Sequence, residues 1–185
     1  MEPIEQLSYI LPTLNATVDR IQPMQTNDPT PCSEFTVHDV LDHMIMLGGS
    51  FTYWFRGDEA PELKAPAVYG RVPAAEFRKV MDDLLDAVKS PGAMDRLITT
   101  PMGEMPGETF ARLVAFDGLV HGWDLASSTG QRFELPAAVI ASVDEFARDA
   151  LSPEMRDGDT FKDATCAPEG ASRMERLVAF SGRSL

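Results

Sequence analysis

The sequence predicts an all-α fold: a single domain over residues 1–185, built as an up-and-down four-helix bundle with one or two accessory helices. Apolar residues recur at helical spacing in six stretches, and the segments between those stretches are rich in proline and glycine. Little of the chain alternates between apolar and polar residues as a strand does. A chain of this length and ordinary apolar content can bury one sizeable core.

Each helix has its own sequence signal. The first is expected over roughly 2–22, with Pro12 kinking or breaking it near its middle. The second begins after Thr36, because Thr36 and Asp39 make a capping-box pair before a run that is apolar nearly all round. That run is typical of a helix at the centre of a bundle. Further helices are expected over about 73–90, 108–129, 136–150 and 171–182, and an extended excursion or small hairpin over 96–107.

The charge balance argues against nucleic acid as a partner. Twenty-nine acidic residues against 16 basic ones give a formal net charge of −13, which repels phosphate backbones. No apolar run reaches the roughly 18 residues that a membrane span needs. The acidic first residues lack the basic start of a secretory signal, so a cytoplasmic protein without a membrane partner is expected. The sequence leaves open whether a homodimer forms.

Three polar residues fall where the helical pattern expects core positions. Asp117 and His121 are four residues apart on the apolar stripe of the fourth helix, so they share one face. His43 lies at the inward edge of the second helix. A carboxylate or imidazole in a core is costly unless it is paired or bound to a metal. The set therefore predicts either one divalent metal ion held by all three or a hydrogen-bonded Asp–His pair without metal, and spacing alone leaves both open.

A metal with only three protein ligands keeps open positions for water or substrate. Two imidazoles and one carboxylate suit zinc, Fe(II), nickel or manganese, so spacing does not name the ion. The third histidine, His38, is expected to be solvated or paired with the nearby Glu34 or Asp42. Cys32 is interpreted as a small, buried apolar residue; the alternative is a thiol made acidic by the helix that follows.

Three strings carry a resemblance to a known family: TPCSEFTVHDVLDHM (30–44), DGLVHGWDLASSTGQ (117–131) and RMERLVAFSGR (173–183). They resemble the mycothiol-dependent maleylpyruvate isomerase family, which belongs to the broader DinB-like group of four-helix-bundle metalloproteins. The resemblance implies that His43, Asp117 and His121 are metal ligands, with zinc or nickel as the ion. It also implies chemistry on a small-molecule thiol such as mycothiol.

Two departures from the family pattern bear on the activity. The isomerases of the family have Glu at the position of Asp117, and they carry an added C-terminal domain, whereas this chain ends at Leu185. Isomerisation of maleylpyruvate is therefore not expected. The resemblance instead implies a metal- and mycothiol-dependent transferase that acts on small electrophiles, or an isomerase of another substrate; the alternative is a non-catalytic, metal-bearing binding or stress protein.

Trp123 and Asp124 directly follow the second histidine ligand that the resemblance implies. They are expected to bind the cofactor at the edge of the site. Their plainer roles are packing and hydrogen bonding behind the metal ligands. A DNA-related role, which only the DinB label suggests, is disfavoured by the net charge of −13.

Overall fold

The structure, a computed structural model, describes residues 1–32, 34–62, 71–100, 103–151, 156 and 162–185. These residues form six α-helices, a two-stranded antiparallel hairpin and a short 3₁₀ turn at Pro23–Gln25. The helical prediction is confirmed, and so is the hairpin expected within 96–107. The elements are α1 Pro3–Val18, α2 Val37–Arg56, α3 Ala74–Val88, β1 Leu97–Thr100, β2 Gly103–Pro106, α4 Gly107–Ser128, α5 Ala137–Ala150 and α6 Arg173–Phe180.

The four long helices form a ring around the core. Helix α1 packs against α3 and α4, and α2 packs closely against α3 but only sparsely against α4. The order around the ring is therefore α1, α3, α2, α4, and the long connections 19–36 and 89–106 join helices at opposite corners. The convergence of the three polar residues predicts that the second and fourth helices are neighbours, which the structure confirms, but the sequence does not predict the rest of this order. The seam between α2 and α4 is loosely packed. A small crevice that residues of all four long helices line reaches Asp117 beside this seam.

Helix α1 runs through Pro12 without a break and ends at Val18 rather than near residue 22. Of the two effects predicted for Pro12, the break is wrong and the kink stays a prediction; Pro12 itself is exposed on the outer side of the helix. Its buried neighbours Leu11 and Leu14 keep the helix packed against the bundle. Tertiary packing thus outweighs the hydrogen bond that the proline cannot donate.

Helix α2 begins with the predicted capping box. The Thr36 hydroxyl accepts from the backbone N–H of Asp39 at 3.3 Å, and the Asp39 carboxylate accepts from the backbone N–H of Thr36 at 2.8 Å. The helix ends at Gly57, whose φ of +84° is the left-handed conformation that favours glycine at this position. These two signals fix the position of His43 along α2.

Helix α4 is buried on most of its surface. Helix α5 packs against it, and α6 packs against α5. The segment 181–185 after α6 therefore lies close enough to return to α4. Among the helices that the structure describes, none is long and apolar enough to cross a membrane.

Candidate metal centre

His43, Asp117 and His121 meet in the seam between α2 and α4. One ligand atom from each lies within 4.8 Å of the other two. The Asp117 Oδ1 atom is 3.5 Å from Nε2 of His121 and 4.0 Å from Nε2 of His43. The two imidazole rings meet edge to face, with centroids 4.9 Å apart. The structure thus brings together the three residues that the sequence predicted as a set.

The secondary structure explains this convergence. Asp117 and His121 are one turn apart on α4, so their side chains project from the same face. His43 approaches from α2 across the loose seam, and the edge of the Phe35 ring packs against it at a centroid distance of 5.8 Å. The site therefore depends on the ring order of the bundle as well as on helical spacing.

The three side chains differ in their access to solvent. His121 is 7% exposed, whereas His43 is 30% and Asp117 is 36% exposed. The sequence placed Asp117 on the buried stripe of α4, but it lies at the mouth of a crevice that Met44 and Val114 also line. The difference arises because α2 and α4 do not close over this stretch. His121 forms the inner wall of the site and the other two form its opening.

The charge state of Asp117 suits a ligand role. Burial in the crevice raises the pKa of its carboxyl, but the charges of His121, His43 and Arg183 more than offset that effect. The pKa therefore lies below its usual range, and the group is a carboxylate at neutral pH.

The donor set fits a divalent metal ion. Bonds of about 2.0–2.2 Å to nitrogen and oxygen would place neighbouring ligand atoms about 3–3.5 Å apart. The observed 3.5 Å and 4.0 Å separations need only sub-ångström adjustment to reach that range. Two imidazole nitrogens and a carboxylate oxygen are ligand types that several divalent transition metals accept.

Asp124 lies directly behind His121. Its Oδ2 atom is 3.1 Å from Nδ1 of His121 and accepts a hydrogen bond from Nη2 of Arg183 at 3.0 Å. The carboxylate is completely buried, which favours hydrogen bonding behind the ligands over direct contact with a cofactor. Trp123 is partly buried against the core, and its predicted cofactor role stays a prediction.

Cys32 lies beside this network. Its sulfur falls within 4.8 Å of ligand atoms of His121 and Asp124, so the three could in principle hold a second ion. Arg183 already pairs with Asp124 there, and its permanent positive charge would repel a cation. Burial raises the pKa of the Cys32 thiol, although Arg183 opposes the effect, so the interpretation as an acidic thiol is not supported.

Two further residues complete the comparison with the sequence predictions. His38 pairs with Asp42 at 3.5 Å, as predicted. It takes no part in the cluster of His43, Asp117 and His121, called the ligand cluster below. Arg183 was missed as a site residue. Helical periodicity gives no signal for it, and the only indication was its place in the Ser-Gly-Arg string of the third resembling segment.

Comparisons with known proteins agree with this architecture. A family model described as the mycothiol maleylpyruvate isomerase N-terminal domain matches residues 10–126, more than half of the chain. An uncharacterized protein of Mycobacterium tuberculosis, found in strains H37Rv and CDC 1551, is 28% identical over the full length of both chains.

Two solved structures share the fold. The crystal structure of the mycothiol-dependent maleylpyruvate isomerase has a TM-score of 0.58 and 13% identity, covering 78% of this chain and 68% of that one. The crystal structure of a mutant of the isomerase has a TM-score of 0.57 and 12% sequence identity, with the same coverage of both chains. On the family-model match, the chain belongs to the mycothiol maleylpyruvate isomerase N-terminal domain family.

Proposed function

We propose that the chain is a divalent-metal-dependent enzyme that joins a small-molecule thiol, such as mycothiol, to small electrophiles. The observation that carries the proposal is that His43, Asp117 and His121, three side chains of metal-ligand type, meet in a cluster that opens to solvent on one side. Catalytic zinc sites have this incomplete kind of ligand set, whereas structural sites have four protein ligands. The family description and the solved isomerase, both of which name mycothiol, support the choice of thiol.

His43, Asp117 and His121 would hold the ion, and zinc or nickel is the ion we expect. A bound divalent cation would supply the positive charge that favours a thiolate, the nucleophilic form, over the thiol. His121 is fixed on the protein side of the site, and the partly exposed His43 and Asp117 leave access from solvent. A thiol can therefore reach the site without movement of the core.

The crevice beside Asp117 has space for about one water-sized group, so it could take at most a methyl-sized part of the second substrate. Met44, Phe51 and Val114 line it with apolar surface that begins at the carboxylate. An electrophile with a small apolar group could place that group in the crevice and its reactive carbon toward the ligand cluster. The crevice is narrow, so the proposal is limited to small electrophiles. We place this activity in the cytoplasm, without nucleic acid as a partner.

The test supplies mycothiol, and separately glutathione and bacillithiol, to metal-loaded and metal-free protein with a panel of electrophiles. We expect thiol binding and conjugation with loaded protein and mycothiol, and loss of both in His43→Ala. The matched control is His38→Ala, which removes a histidine of the same helix that pairs with Asp42 outside the ligand cluster.

The same measurements also distinguish the proposed enzyme from the non-catalytic alternative. Metal binding at full stoichiometry with no thiol bound at millimolar concentration would contradict the enzyme and favour the non-catalytic metal-bearing protein. Full metal binding by a protein with all three ligand residues replaced would contradict the site itself.

A further inference from the structure

The hydrogen bonds behind His121 form a continuous chain that ends at the C-terminal segment. Nδ1 of His121 is 3.1 Å from Oδ2 of Asp124, and Arg183 donates to both oxygens of that carboxylate, at 3.0 Å from Nη2 and 3.4 Å from Nε. Asp124 is 0% exposed and Arg183 is 11% exposed. The contacts are therefore shielded from water and can fix the geometry of the ring.

This series of hydrogen bonds determines which nitrogen of His121 carries the proton. A neutral imidazole has one N–H donor and one acceptor nitrogen. The guanidinium of Arg183 is always charged and only donates, so the paired Asp124 carboxylate acts as an acceptor. The nitrogen that faces Asp124 must then be the donor. That leaves the lone pair on Nε2, the atom 3.5 Å from Asp117 in the ligand cluster.

The turn after α6 explains how Arg183 reaches Asp124. The backbone N–H of Gly182 donates to Ala179 at 3.0 Å and that of Arg183 to Val178 at 3.1 Å, the two hydrogen bonds of a Schellman motif. Gly182 has φ +96°, which disfavours other residues, and an added Cβ would lie 2.9 Å from Cβ of Lys162. The Ser-Gly-Arg string therefore turns the chain back so that the arginine points into the bundle.

We infer that Asp124 and Arg183 are positioning residues: they hold His121 as its Nδ1–H tautomer, with Nε2 free to bind a metal. The part that concerns metal affinity rests on the proposed function, and the part that concerns the tautomer does not. Metal-binding histidines commonly donate their second N–H to a carboxylate, and loss of that partner typically lowers metal affinity about 10–100-fold.

The experiment reads the tautomer directly by ¹⁵N NMR of the imidazole rings in metal-free protein, at a pH at which the shifts of both ring nitrogens show a neutral imidazole. The chain has three histidines, so the spectrum can be assigned by single replacements. We expect His121 as Nδ1–H in the unmodified protein. In Asp124→Asn, Arg183 should attract the amide oxygen and turn the NH₂ group toward Nδ1, which shifts the ring to Nε2–H.

The matched control is Asp144→Asn. Asp144 is also a buried carboxylate held by arginines, with Arg148 at 2.9 Å and Arg173 at 2.8 Å, but it joins α5 to α6. The Asp144→Asn substitution should destabilise the fold without changing the His121 tautomer or the affinity for Zn²⁺. If Asp124→Asn fails to fold, the double variant Asp124→Leu/Arg183→Met gives the readout, because replacing a whole buried ion pair by apolar residues is often neutral or stabilising, and it leaves Nδ1 of His121 without an acceptor.

The outcomes separate the two proposals. An unchanged Nδ1–H tautomer in folded Asp124→Asn or, where that protein does not fold, in the double variant would overturn the inference, and so would an equal change in Asp144→Asn. Loss of the tautomer with a fall of about 10–100-fold in Zn²⁺ affinity would support it. If the unmodified protein binds no divalent metal while the tautomers behave as expected, the proposed function fails and the positioning of His121 stands.

Discussion

Replacement of Arg183 by alanine should destabilise the whole fold, although Arg183 lies outside the helices, after the end of α6. Residues outside regular elements are usually tolerant of change unless they are tied down. Arg183 is tied down because its side chain is 11% exposed and donates to both oxygens of Asp124. The substitution removes the positive partner of a carboxylate that has no exposed surface.

The expected cost follows from what remains after the change. Asp124 would keep only its contact with His121 at 3.1 Å, leaving a buried charge poorly compensated. Breaking a buried ion pair in this way costs about 3–5 kcal/mol in the free energy of unfolding. In a domain of this size, a loss of 1 kcal/mol lowers Tm by roughly 2–4 °C, so Tm should fall by roughly 6–20 °C.

Urea denaturation of metal-free protein measures this cost without any contribution from a bound ion. Arg173→Ala is the control: Arg173 is 38% exposed, and its partner Asp144 keeps Arg148 at 2.9 Å. The control should cost much less than Arg183→Ala, because an ion pair of an exposed arginine contributes little to stability. A loss below about 1 kcal/mol for Arg183→Ala, or a loss equal to that of the control, would refute the reasoning from burial.

Three further predictions concern other parts of the molecule. Thr36→Ala should cost about 1 kcal/mol by removing the cap of α2. Hydrogen bonds from Thr36 lower the pKa of Asp39, so this stabilisation is present above the unfolded pKa and lost as pH falls through the folded one. Urea titrations at several pH values should show the difference between the variant and the unmodified protein shrinking in acid, and a pH-independent difference would contradict the pairing. Gly122→Ala should cost about 1–3 kcal/mol or more in urea denaturation, because its Cβ would lie 2.3 Å from Cζ of the Phe133 ring; an unchanged midpoint would count against this packing. Free metal at about 100 times Kd should stabilise the unmodified protein by about 2.7 kcal/mol and raise Tm by roughly 5–11 °C. Thermal shift measurements should show little of this rise in His121→Ala, and an equal rise would exclude His121 as a ligand.

Much of the fold could be predicted because helical periodicity is a local signal. The capping pair at Thr36 marked the start of α2, and the fourth helix, expected over about 108–129, spans Gly107–Ser128. Apart from the adjacency of α2 and α4, which the three polar residues indicated, the order of the helices around the ring could not be predicted, since it depends on which apolar faces pack together over long separations in sequence. The same limit explains Pro12, where local propensity predicted a kink or a break and packing kept the helix continuous.

The ligand cluster, too, could be predicted only where its geometry depends on local helical spacing. Asp117 and His121 had to share a face once α4 was a helix, because they are four residues apart. The approach of His43 was a tertiary event that the shared inward position of all three residues only suggested. The contact between Asp124 and Arg183 joins residues 59 positions apart and lies outside any periodic pattern. Only the resemblance of the Ser-Gly-Arg string hinted that the C-terminal turn had a role.

The two sides of the candidate metal centre differ in a way that bears on its chemistry. On the inner side, His121 contacts the buried carboxylate of Asp124, which pairs with Arg183. The sulfur of Cys32 lies within 4.8 Å of ligand atoms of His121 and Asp124, close to the same ion pair. An additional protein ligand from that side would have to displace the guanidinium from Asp124. On the outer side, His43 and Asp117 border solvent, and Asp117 also lines the apolar crevice. If the proposed ion binds here, a rigidly held His121 on one side and an open face on the other would suit an ion that exchanges its remaining ligands, which a structural metal site does not require.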